Sequence, residues 1–429
     1  MKIIKGRVLN FIDNPFKVEI DKSYKIIENG AILIDGSFIK RIDLYTNLIT
    51  NYPNAQVFDY GSDIICSGFI DCHMHYPQTG IIASYGKRLI DWLNTYTFPE
   101  EVRFKQKKYA KKISSFTLNE SLKNGITSLA SFCTTSIESV DAIFEEAEKL
   151  NMCIIAGKTC MDRNGPKNLI DTPRKSYQET EYLINKWHCK DRLKYAITPR
   201  FAPTSSPKQL ELLGELALQY KECLIQTHLG EQIEEIEWVR KLFPYSIDYL
   251  GVYERFGLVG ETSIFGHSIH LKDREFEVLK EKGSAVAHCP TSNFFIGSGL
   301  FNIQKFISRN INFGLATDTG GGTSFSMFKT MAAAYYVAQL NKISLHPAQL
   351  FWMATVGSAK SLKLNNEIGN IQIGNFADFI TINLSSTNLI KQRRERATSV
   401  WEEIFPTIIM GDDRAISSTW VSGELIKIN

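Results

Sequence analysis

Eight short apolar segments are spaced along the middle of the chain, and most are followed by a stretch with helical periodicity. Such alternation predicts parallel strands joined by helices. Eight strand and helix units favour a closed (β/α)8 barrel, although periodicity alone leaves a doubly wound sheet open. The candidate strands are Ile64 to His73, Ile126 to Phe132, Met152 to Lys158, Leu193 to Thr198, Cys223 to His228, Ser263 to His267, Ala285 to His288, and Phe313 to Asp318.

Most of these predicted strands end in a polar residue that a buried strand would not choose. The carboxyl ends of barrel strands meet on one face, where catalytic groups from different strands come together. The polar ends therefore favour the barrel and predict an active site on that face. They are His73 and His75 after the first strand, then His228, His267, His288 and Asp318.

The sequence patterns at the two chain ends are typical of β-strands and turns. Asp35-Gly36 separates two apolar runs, which is the signal of a two-residue hairpin turn. Similar strand and turn patterns occur over Ile368 to Asn383 and Thr419 to Ile428. We therefore expect a small β-sandwich domain built from residues 1–65 and 370–429, and a barrel with the active site over residues 66–369.

Composition and charge narrow the class of protein. Of 429 residues, 44% are hydrophobic and 22% are charged, which is typical of a folded globular chain. A formal net charge of +3 gives no broad basic surface for nucleic acid. Early charges interrupt any signal-peptide core and no apolar run approaches a membrane span, so we expect a cytoplasmic protein without a membrane partner. Eight scattered cysteines without a CxxC pair predict reduced thiols.

His73 and His75 lie two residues apart on a predicted strand, so both rings point to the same side. An HxH pair alone is a weak signal, because hydrogen-bonded or exposed histidines give the same pattern. The apolar run from Ile64 to Ile70 before the pair predicts a buried strand. This context favours two ligands of one metal ion.

His228 and Glu231 follow the fifth predicted strand, and Asp318 ends the eighth. Glu231 is interpreted either as a proton-transfer group beside a metal-activated water or as a helix-capping residue. Asp318 leads into a glycine run, but no lysine follows where a phosphate-binding loop requires one. We therefore interpret Asp318 as a metal ligand and a base.

Three imidazoles and one carboxylate form a donor set suited to zinc, with iron and manganese as alternatives. A single ion is the simpler interpretation, because Ala196 to Arg200 contains no lysine that could bridge two metals. The chain lacks GxGxxG and GxSxG motifs, so neither a nicotinamide cofactor nor a serine hydrolase is expected. It also lacks HxE with a later PCxxC, the signature of the other zinc deaminase fold.

Several segments together resemble the amidohydrolase superfamily and, within it, the guanine deaminase family. Ser67 to Gln78 is similar to the family segment PGFxDxHxHxPQ, and Asp91 to Glu100 is similar to WLxxYTFPxE. Ser67 replaces the usual proline, and Gly230 stands where many relatives have serine; neither change removes a ligand. Further similar segments, in family order, are Gly157 to Asp162, Ile197 to Phe201, Gln226 to Glu231, His288 to Asn293, Thr317-Asp318 and Gly411 to Arg414.

The resemblance implies that residues 66–369 form a (β/α)8 barrel of the metal-dependent hydrolase type. It also implies one zinc ion per subunit, with iron as the alternative, and hydrolysis of guanine to xanthine and ammonia in a homodimer. Glu231 would carry a proton to N3 and then to the leaving amine, while His267 holds the water and Asp318 acts as base. Gln78 and Arg200 would bond the purine edge, with Phe201 and Trp92 near the ring. The implied metal ligands are His73, His75, His228 and Asp318. The implied substrate-binding residues are His75, Gln78, Trp92, Arg200, Phe201, His228, Glu231 and Asp318.

Two alternatives stay open from the sequence. One is a related deaminase acting on another base, such as 8-oxoguanine, cytosine or an adenosine derivative; the other is a non-catalytic assembly protein on the same fold. His188, His270 and His346 are expected to be structural or to face solvent. For His288, a supporting role at the metal site and a place in the core are equally compatible with the pattern.

Overall fold

A computed structural model describes residues 1–86 and 88–426 of the chain. The strands form one parallel barrel and one separate sheet. They are β1 (Lys2–Phe11), β2 (Tyr24–Asp35), β3 (Phe38–Leu44), β4 (Gln56–Ser67), β5 (Phe69–His75), β6 (Ile126–Phe132), β7 (Cys153–Gly157), β8 (Thr159–Cys160), β9 (Leu193–Pro199), β10 (Leu224–Leu229), β11 (Ser263–His267), β12 (Ala285–His288), β13 (Asn312–Leu315), β14 (Phe379–Ile382), β15 (Ile416–Val421) and β16 (Glu424–Leu425).

The helices mostly follow barrel strands, as the sequence periodicity predicts. Short 3-10 helices cover Tyr76–Ile81, Arg103–Lys105, Ala202–Thr204 and Asp413–Ala415, and a π-helix covers Leu93–Thr97. The α-helices are α1 (Ile20–Ser23), α2 (Tyr45–Asn51), α3 (Leu89–Trp92), α4 (Phe98–Val102), α5 (Lys107–Lys123), α6 (Ile137–Leu150), α7 (Pro173–Trp187), α8 (Pro207–Gln219), α9 (Ile233–Leu242), α10 (Tyr249–Arg255), α11 (Asp273–Lys282), α12 (Pro290–Phe295), α13 (Ile303–Arg309), α14 (Met327–Leu340), α15 (Pro347–Ala354), α16 (Val356–Ser361), α17 (Asn388–Arg394) and α18 (Val400–Met410).

The barrel strands pair in parallel in the order β5, β6, β7, β9, β10, β11, β12 and β13, with β8 beside β9. Two backbone hydrogen bonds join the edges: Asp318 N donates to His73 O at 2.9 Å, and His75 N donates to Thr319 O at 2.6 Å. The predicted eight-stranded barrel is therefore confirmed. Alternating apolar residues fill its interior, as in Ile70, Ile155 and Ile264.

The predicted first strand, Ile64 to His73, is wrong as a single element. β4 ends at Ser67 in the separate sheet, and β5 begins at Phe69 in the barrel. The chain crosses between them at Gly68, where a Cβ atom would lie 2.1 Å from Thr127 Oγ1. Only glycine permits so close an approach to the neighbouring barrel strand, and an apolar pattern does not reveal such a crossing.

Both chain ends contribute to the second sheet, as predicted. Its strand order is β16, β15, β14, β4, β1, β2 and β3, and only the β1 and β4 neighbours run parallel. The predicted hairpin is confirmed, but its two turn residues are Gly36, at φ +58°, and Ser37, because Asp35 still pairs with Phe38. The last two residues of the predicted Thr419 to Ile428 segment lie outside the described residues. The division at 65/66 and 369/370 stays a prediction.

A buried ion pair connects the second sheet to the barrel. Arg192, just before β9, donates from Nη1 to Asp378 Oδ1 at 3.1 Å and from Nη2 to Asp378 Oδ2. Asp378 lies before β14 and also accepts from Ser422 N at 2.7 Å. Its carboxylate therefore joins the amino-terminal end of a barrel strand to the last part of the chain, on the face opposite the polar strand ends.

Candidate active site

Four side chains from two barrel strands, β5 and β10, and from the segment after a third, β13, converge at the carboxyl end of the barrel. His75 Nε2 and His228 Nε2 are 3.1 Å apart. Asp318 Oδ1 lies 3.4 Å from His73 Nε2 and 3.6 Å from His75 Nε2. The strand ends, distant in sequence, thus bring the predicted ligand atoms within a few ångströms of one another. His267, at the end of β11, adds a fourth ring whose Nε2 is 3.8 Å from Asp318 Oδ2.

The donor atoms fit a metal ion. His73 Nε2 is fully buried and makes no hydrogen bond within the described residues, although it faces Asp318 and the other rings. His73, His75 and His228 form a group whose ligand atoms can hold one ion. Burial lowers the pKa of His73, and it lowers the pKa of His75 and His228 well below the ordinary value. The rings are therefore neutral, the form that binds a metal.

Backbone carbonyl and carboxylate groups hold the predicted ligands in position through hydrogen bonds on the side away from the cluster. His228 Nδ1 donates to Arg200 O at 2.6 Å, which leaves Nε2 with a free lone pair toward the cluster. Asp71 Oδ1 accepts from His73 N at 3.2 Å and from Thr317 N at 3.0 Å, which fixes the two strand ends to each other. The ring of His73 also needs Gly266 on β11, where a Cβ atom would lie 2.8 Å from Cε1.

Two site residues adopt a left-handed backbone conformation that is uncommon without glycine. Asp318 has φ +48° and His267 has φ +65°. Such conformations persist where the surrounding structure enforces them, and they concentrate at functional sites. Burial alone would raise the pKa of Asp318, but the adjacent rings of His73 and His267 outweigh it and lower the pKa to about 2. Asp318 therefore stays ionised.

Glu231 faces the same cluster from the segment after β10. Its Oε2 lies 3.5 Å from His267 Nε2, and its Oε1 accepts from Ser298 Oγ at 2.9 Å. Burial raises its pKa, which suits a group that takes up and releases a proton. The capping role considered for Glu231 belongs instead to Glu235, which accepts from the backbone N of Glu231 at 2.9 Å and of Gln232 at 3.2 Å.

His267 is held between Asn293 and the two carboxylates. Its Nδ1 donates to Asn293 Oδ1 at 2.9 Å, so Nε2 points toward Glu231 and Asp318. Burial lowers the pKa of His267, but the charges of those carboxylates outweigh burial and raise it. Asn293 ends the segment His288 to Asn293 that resembles the family, although no role for its side chain follows from the sequence.

A cavity of about 420 Å³ opens beside the cluster, a volume within the range of small-molecule sites. All eight residues predicted to bind substrate line it. Sequence reasoning missed the apolar part of the wall, because leucine and isoleucine in these segments give no signal beyond burial. The lining residues are His75, Gln78, Leu89, Trp92, Leu93, Arg200, Phe201, His228, Glu231, His267, Ile296, Asp318 and Gly321.

Glu101 is a second residue that sequence reasoning missed. It accepts hydrogen bonds from Arg200 Nη1 at 3.0 and 2.8 Å and from Gln78 Nε2 at 3.0 Å. The signal was present: in WLxxYTFPxE the glutamate stands nine residues after the tryptophan, and nine residues after Trp92 is Glu101. Glu101, and not Glu100, is therefore the glutamate of this family segment.

The remaining histidines lie outside the ligand cluster. His188 Nδ1 accepts from Tyr195 N at 3.1 Å, and His270 Nε2 donates to Ser298 O at 2.8 Å. His346 caps α15 through Ala348 N. His288 stacks on Phe301 with ring centroids 4.2 Å apart, and it does not line the cavity. These contacts agree with structural roles for all four.

Comparison with known proteins places this site in a family. Residues 64–426 match the model of the amidohydrolase family, which is well over half of the chain. The chain belongs to the amidohydrolase family. Within the described residues, this amidohydrolase has no helix long and apolar enough to cross a membrane.

Individual relatives of this amidohydrolase can also be named. The chain is 41% identical to the guanine deaminase of Escherichia coli (strain K12), over 99% of this chain and 98% of that protein. A solved structure of E. coli guanine deaminase covers 100% of this chain and 99% of its own, with a TM-score of 0.97. A guanine deaminase from C. acetobutylicum with bound guanine in the active site is 31% identical, covers 99% and 100%, and has a TM-score of 0.90.

Proposed function

We propose that this amidohydrolase is a guanine deaminase, which converts guanine and water to xanthine and ammonia. The observation that carries the proposal is the arrangement of the cavity. Glu231 and the histidine cluster line the same cavity as Arg200 and Gln78, whose side chains both bond Glu101. A planar base bonded by Arg200 and Gln78 would have its reacting carbon near the cluster. Full-length similarity to proteins named guanine deaminase supports the same reaction.

The metal is proposed to be one zinc ion per subunit, with iron as the alternative that elemental analysis would reveal. His73, His75, His228 and Asp318 would hold it, since neutral imidazoles and an ionised carboxylate converge there. When bound, such an ion supplies Lewis-acid activation of water at neutral pH.

Proton transfer falls to Glu231. In the reaction a C2–O bond forms, the C2–N bond of the amine breaks, and ammonia leaves. Both protons come from the attacking water. Glu231 delivers one to ring N3, is reprotonated, and delivers the second to the departing amine. Burial raises its pKa, which favours the protonated form that donates. His267 Nε2, 3.5 Å from Glu231 and 3.8 Å from Asp318, orients the attacking water between them. Asp318 acts as the base.

Arg200, Phe201 and Trp92 are proposed to orient the substrate. A guanidinium only donates hydrogen bonds, so Arg200 matches the O6 and N7 acceptors of guanine. Phe201 and Trp92 are nearly buried beside it and pack near the ring. Apolar walls also exclude water around the reacting base, which strengthens the polar contacts within.

A substrate panel tests the reaction. The protein is purified with zinc and given guanine, 8-oxoguanine, cytosine and adenosine, while xanthine formation and ammonia release are followed. We expect xanthine from guanine and little ammonia from the others. Ammonia from another base with none from guanine would overturn the proposal. Protein that contains no metal after purification in zinc would revive the non-catalytic assembly protein.

Three further features are proposed with this function: a homodimer, a cytoplasmic location, and the domain division at residues 65/66 and 369/370. Light scattering after size-exclusion chromatography tests the first, and cell fractionation the second. Separate expression of residues 66–369 tests the third, because a true domain unfolds cooperatively by itself.

A further inference from the structure

Glu101 is a buried acidic residue that the proposed proton transfers do not use. It lies on α4 with 1% of its surface exposed. Arg200 Nη1 donates to its Oε1 at 3.0 Å and its Oε2 at 2.8 Å, and Gln78 Nε2 donates to Oε1 at 3.0 Å. One carboxylate therefore fixes two cavity residues that come from different parts of the chain.

The contact with Glu101 determines which end of the Gln78 amide faces the cavity. An ionised carboxylate only accepts hydrogen bonds, so the NH2 group of Gln78 must point to Glu101. The carbonyl Oε1 is then turned away from Glu101 and accepts no hydrogen bond from the described residues. Since Gln78 lines the cavity, it presents an acceptor there.

Arg200 presents the complementary groups. Its Nη1 donates to Glu101, while Nε and Nη2 make no hydrogen bond within the described part of the chain. The ring of Phe98 lies 5.3 Å from the guanidinium and limits its movement. The wall of the cavity therefore offers arginine donors beside one glutamine acceptor.

We propose that Glu101 determines which edge of a purine the cavity accepts, by selecting a carbonyl beside a ring N–H. This inference rests on the proposed function, because it names what sets that site's choice of base. Guanine has such an edge in O6 and N1–H. Adenine has the reverse, an amine beside the acceptor N1, and would leave buried donors and acceptors unpaired. Glu101 is a positioning residue that acts through Gln78 and Arg200.

Binding of two bases without a 2-amino group tests this selection apart from turnover. Hypoxanthine has the guanine-like edge and adenine the reversed one, and neither can lose an amine from C2. Calorimetric titration of the zinc-loaded protein should show tighter binding of hypoxanthine. In Glu101→Gln the new amide can donate as well as accept, so the Gln78 amide can turn over. The preference should then fall by about 10-fold or more, the value of a hydrogen bond to a charged group.

Glu100→Gln is the matched control. Glu100 lies on the same helix and is also nearly buried, but it accepts from Arg103 Nη1 at 2.8 Å and from Tyr109 rather than from cavity residues. Its substitution should leave the preference unchanged. A folded Glu101→Gln protein, verified by circular dichroism, that keeps the wild-type preference would overturn the inference.

Glu101→Asp is the second variant, needed if Glu101→Gln does not fold. It keeps the buried charge for Arg200, but its shorter side chain cannot reach both partners. Its preference should also fall, and an unchanged preference would count against the inference. Turnover distinguishes the two proposals. Wild-type protein that is inactive on guanine would contradict the proposed function, whereas a base preference that does not change on substitution of Glu101 would contradict the role proposed for Glu101.

Discussion

Strand β9 has a buried arginine at each end, and the two guanidinium groups are used differently. Arg192 at its amino-terminal end bonds Asp378 through both Nη atoms and donates from Nη1 to Asn151 O at 2.9 Å. Arg200 at its carboxyl end bonds Glu101 through Nη1 alone. One group is committed to holding two parts of the fold together, while the other keeps donors for a ligand.

The contrast shows how one barrel separates stability from chemistry. At the amino-terminal end both Nη atoms of Arg192 are paired with protein groups, although its Nε has no hydrogen-bond partner within the described residues, so removing Asp378 leaves an uncompensated buried charge. Groups at the carboxyl end keep atoms unpaired, as in His73 Nε2, or hold unusual backbone conformations, as in Asp318. Substitutions at the two ends should therefore change different measured quantities.

The largest expected effect is the loss of activity in Glu231→Gln, at the carboxyl end of the barrel. The amide cannot transfer a proton, so kcat should fall by about 10³-fold or more. Metal content by elemental analysis should be unchanged, since Glu231 is not among the proposed ligands. Glu234→Gln, on the exposed side of α9, should retain full activity. Substantial turnover in Glu231→Gln would refute its assigned role.

The next largest effect is a loss of stability in Asp378→Asn, at the amino-terminal end of the barrel. Loss of the carboxylate leaves Arg192 buried without its counter-ion, and we expect the free energy of unfolding to fall by about 3 kcal/mol. Urea denaturation measures it, and the KM for guanine should stay the same. Asp59→Asn, which breaks the exposed pair with Lys5, should leave the denaturation midpoint almost unchanged. Equal midpoints for the two variants would contradict the comparison.

A paired substitution sharpens the contrast between the arginines. Lysine keeps the charge but lacks the fork of donors, so Arg200→Lys should raise the KM for guanine by about 30-fold with little change in melting temperature. Arg192→Lys should lower the melting temperature with little change in KM. Steady-state kinetics and thermal melts on both proteins provide the test. A lowered melting temperature in Arg200→Lys, or a raised KM in Arg192→Lys, would contradict the division between substrate binding at one end of β9 and stability at the other.

The smallest expected effect is on the pH dependence of stability and involves His288, a buried polar residue at the end of β12. Burial lowers its pKa to about 3, so between about pH 3 and 6.5 the unfolded chain binds a proton that the folded chain does not. Stability therefore decreases as pH falls through this window, by about 1 kcal/mol at pH 5.5. His288→Phe should reduce that loss, as measured by urea denaturation at pH 5.5 and 7.5. An identical pH dependence in both proteins would exclude this contribution.

The fold and the ligand cluster could be predicted because each leaves a local pattern. Apolar runs with helical spacers predict the barrel, and histidines at strand ends predict the cluster, since parallel strands bring their carboxyl ends together. The bounds of the first strand could not be predicted this way. The crossing at Gly68 depends on how closely Thr127 approaches, and Thr127 belongs to another strand.

The order of residues alone therefore predicts the barrel and the histidine and aspartate cluster at its mouth. It does not show which glutamate faces the cavity and which one caps a helix, because Glu231 and Glu235 are four residues apart and chemically identical; their contacts in the folded chain distinguish them. Folding also brings Glu101 to its partners, which lie 23 and 99 residues away. Spacing within a strand is local information, whereas a hydrogen bond between distant segments exists only once the chain has folded.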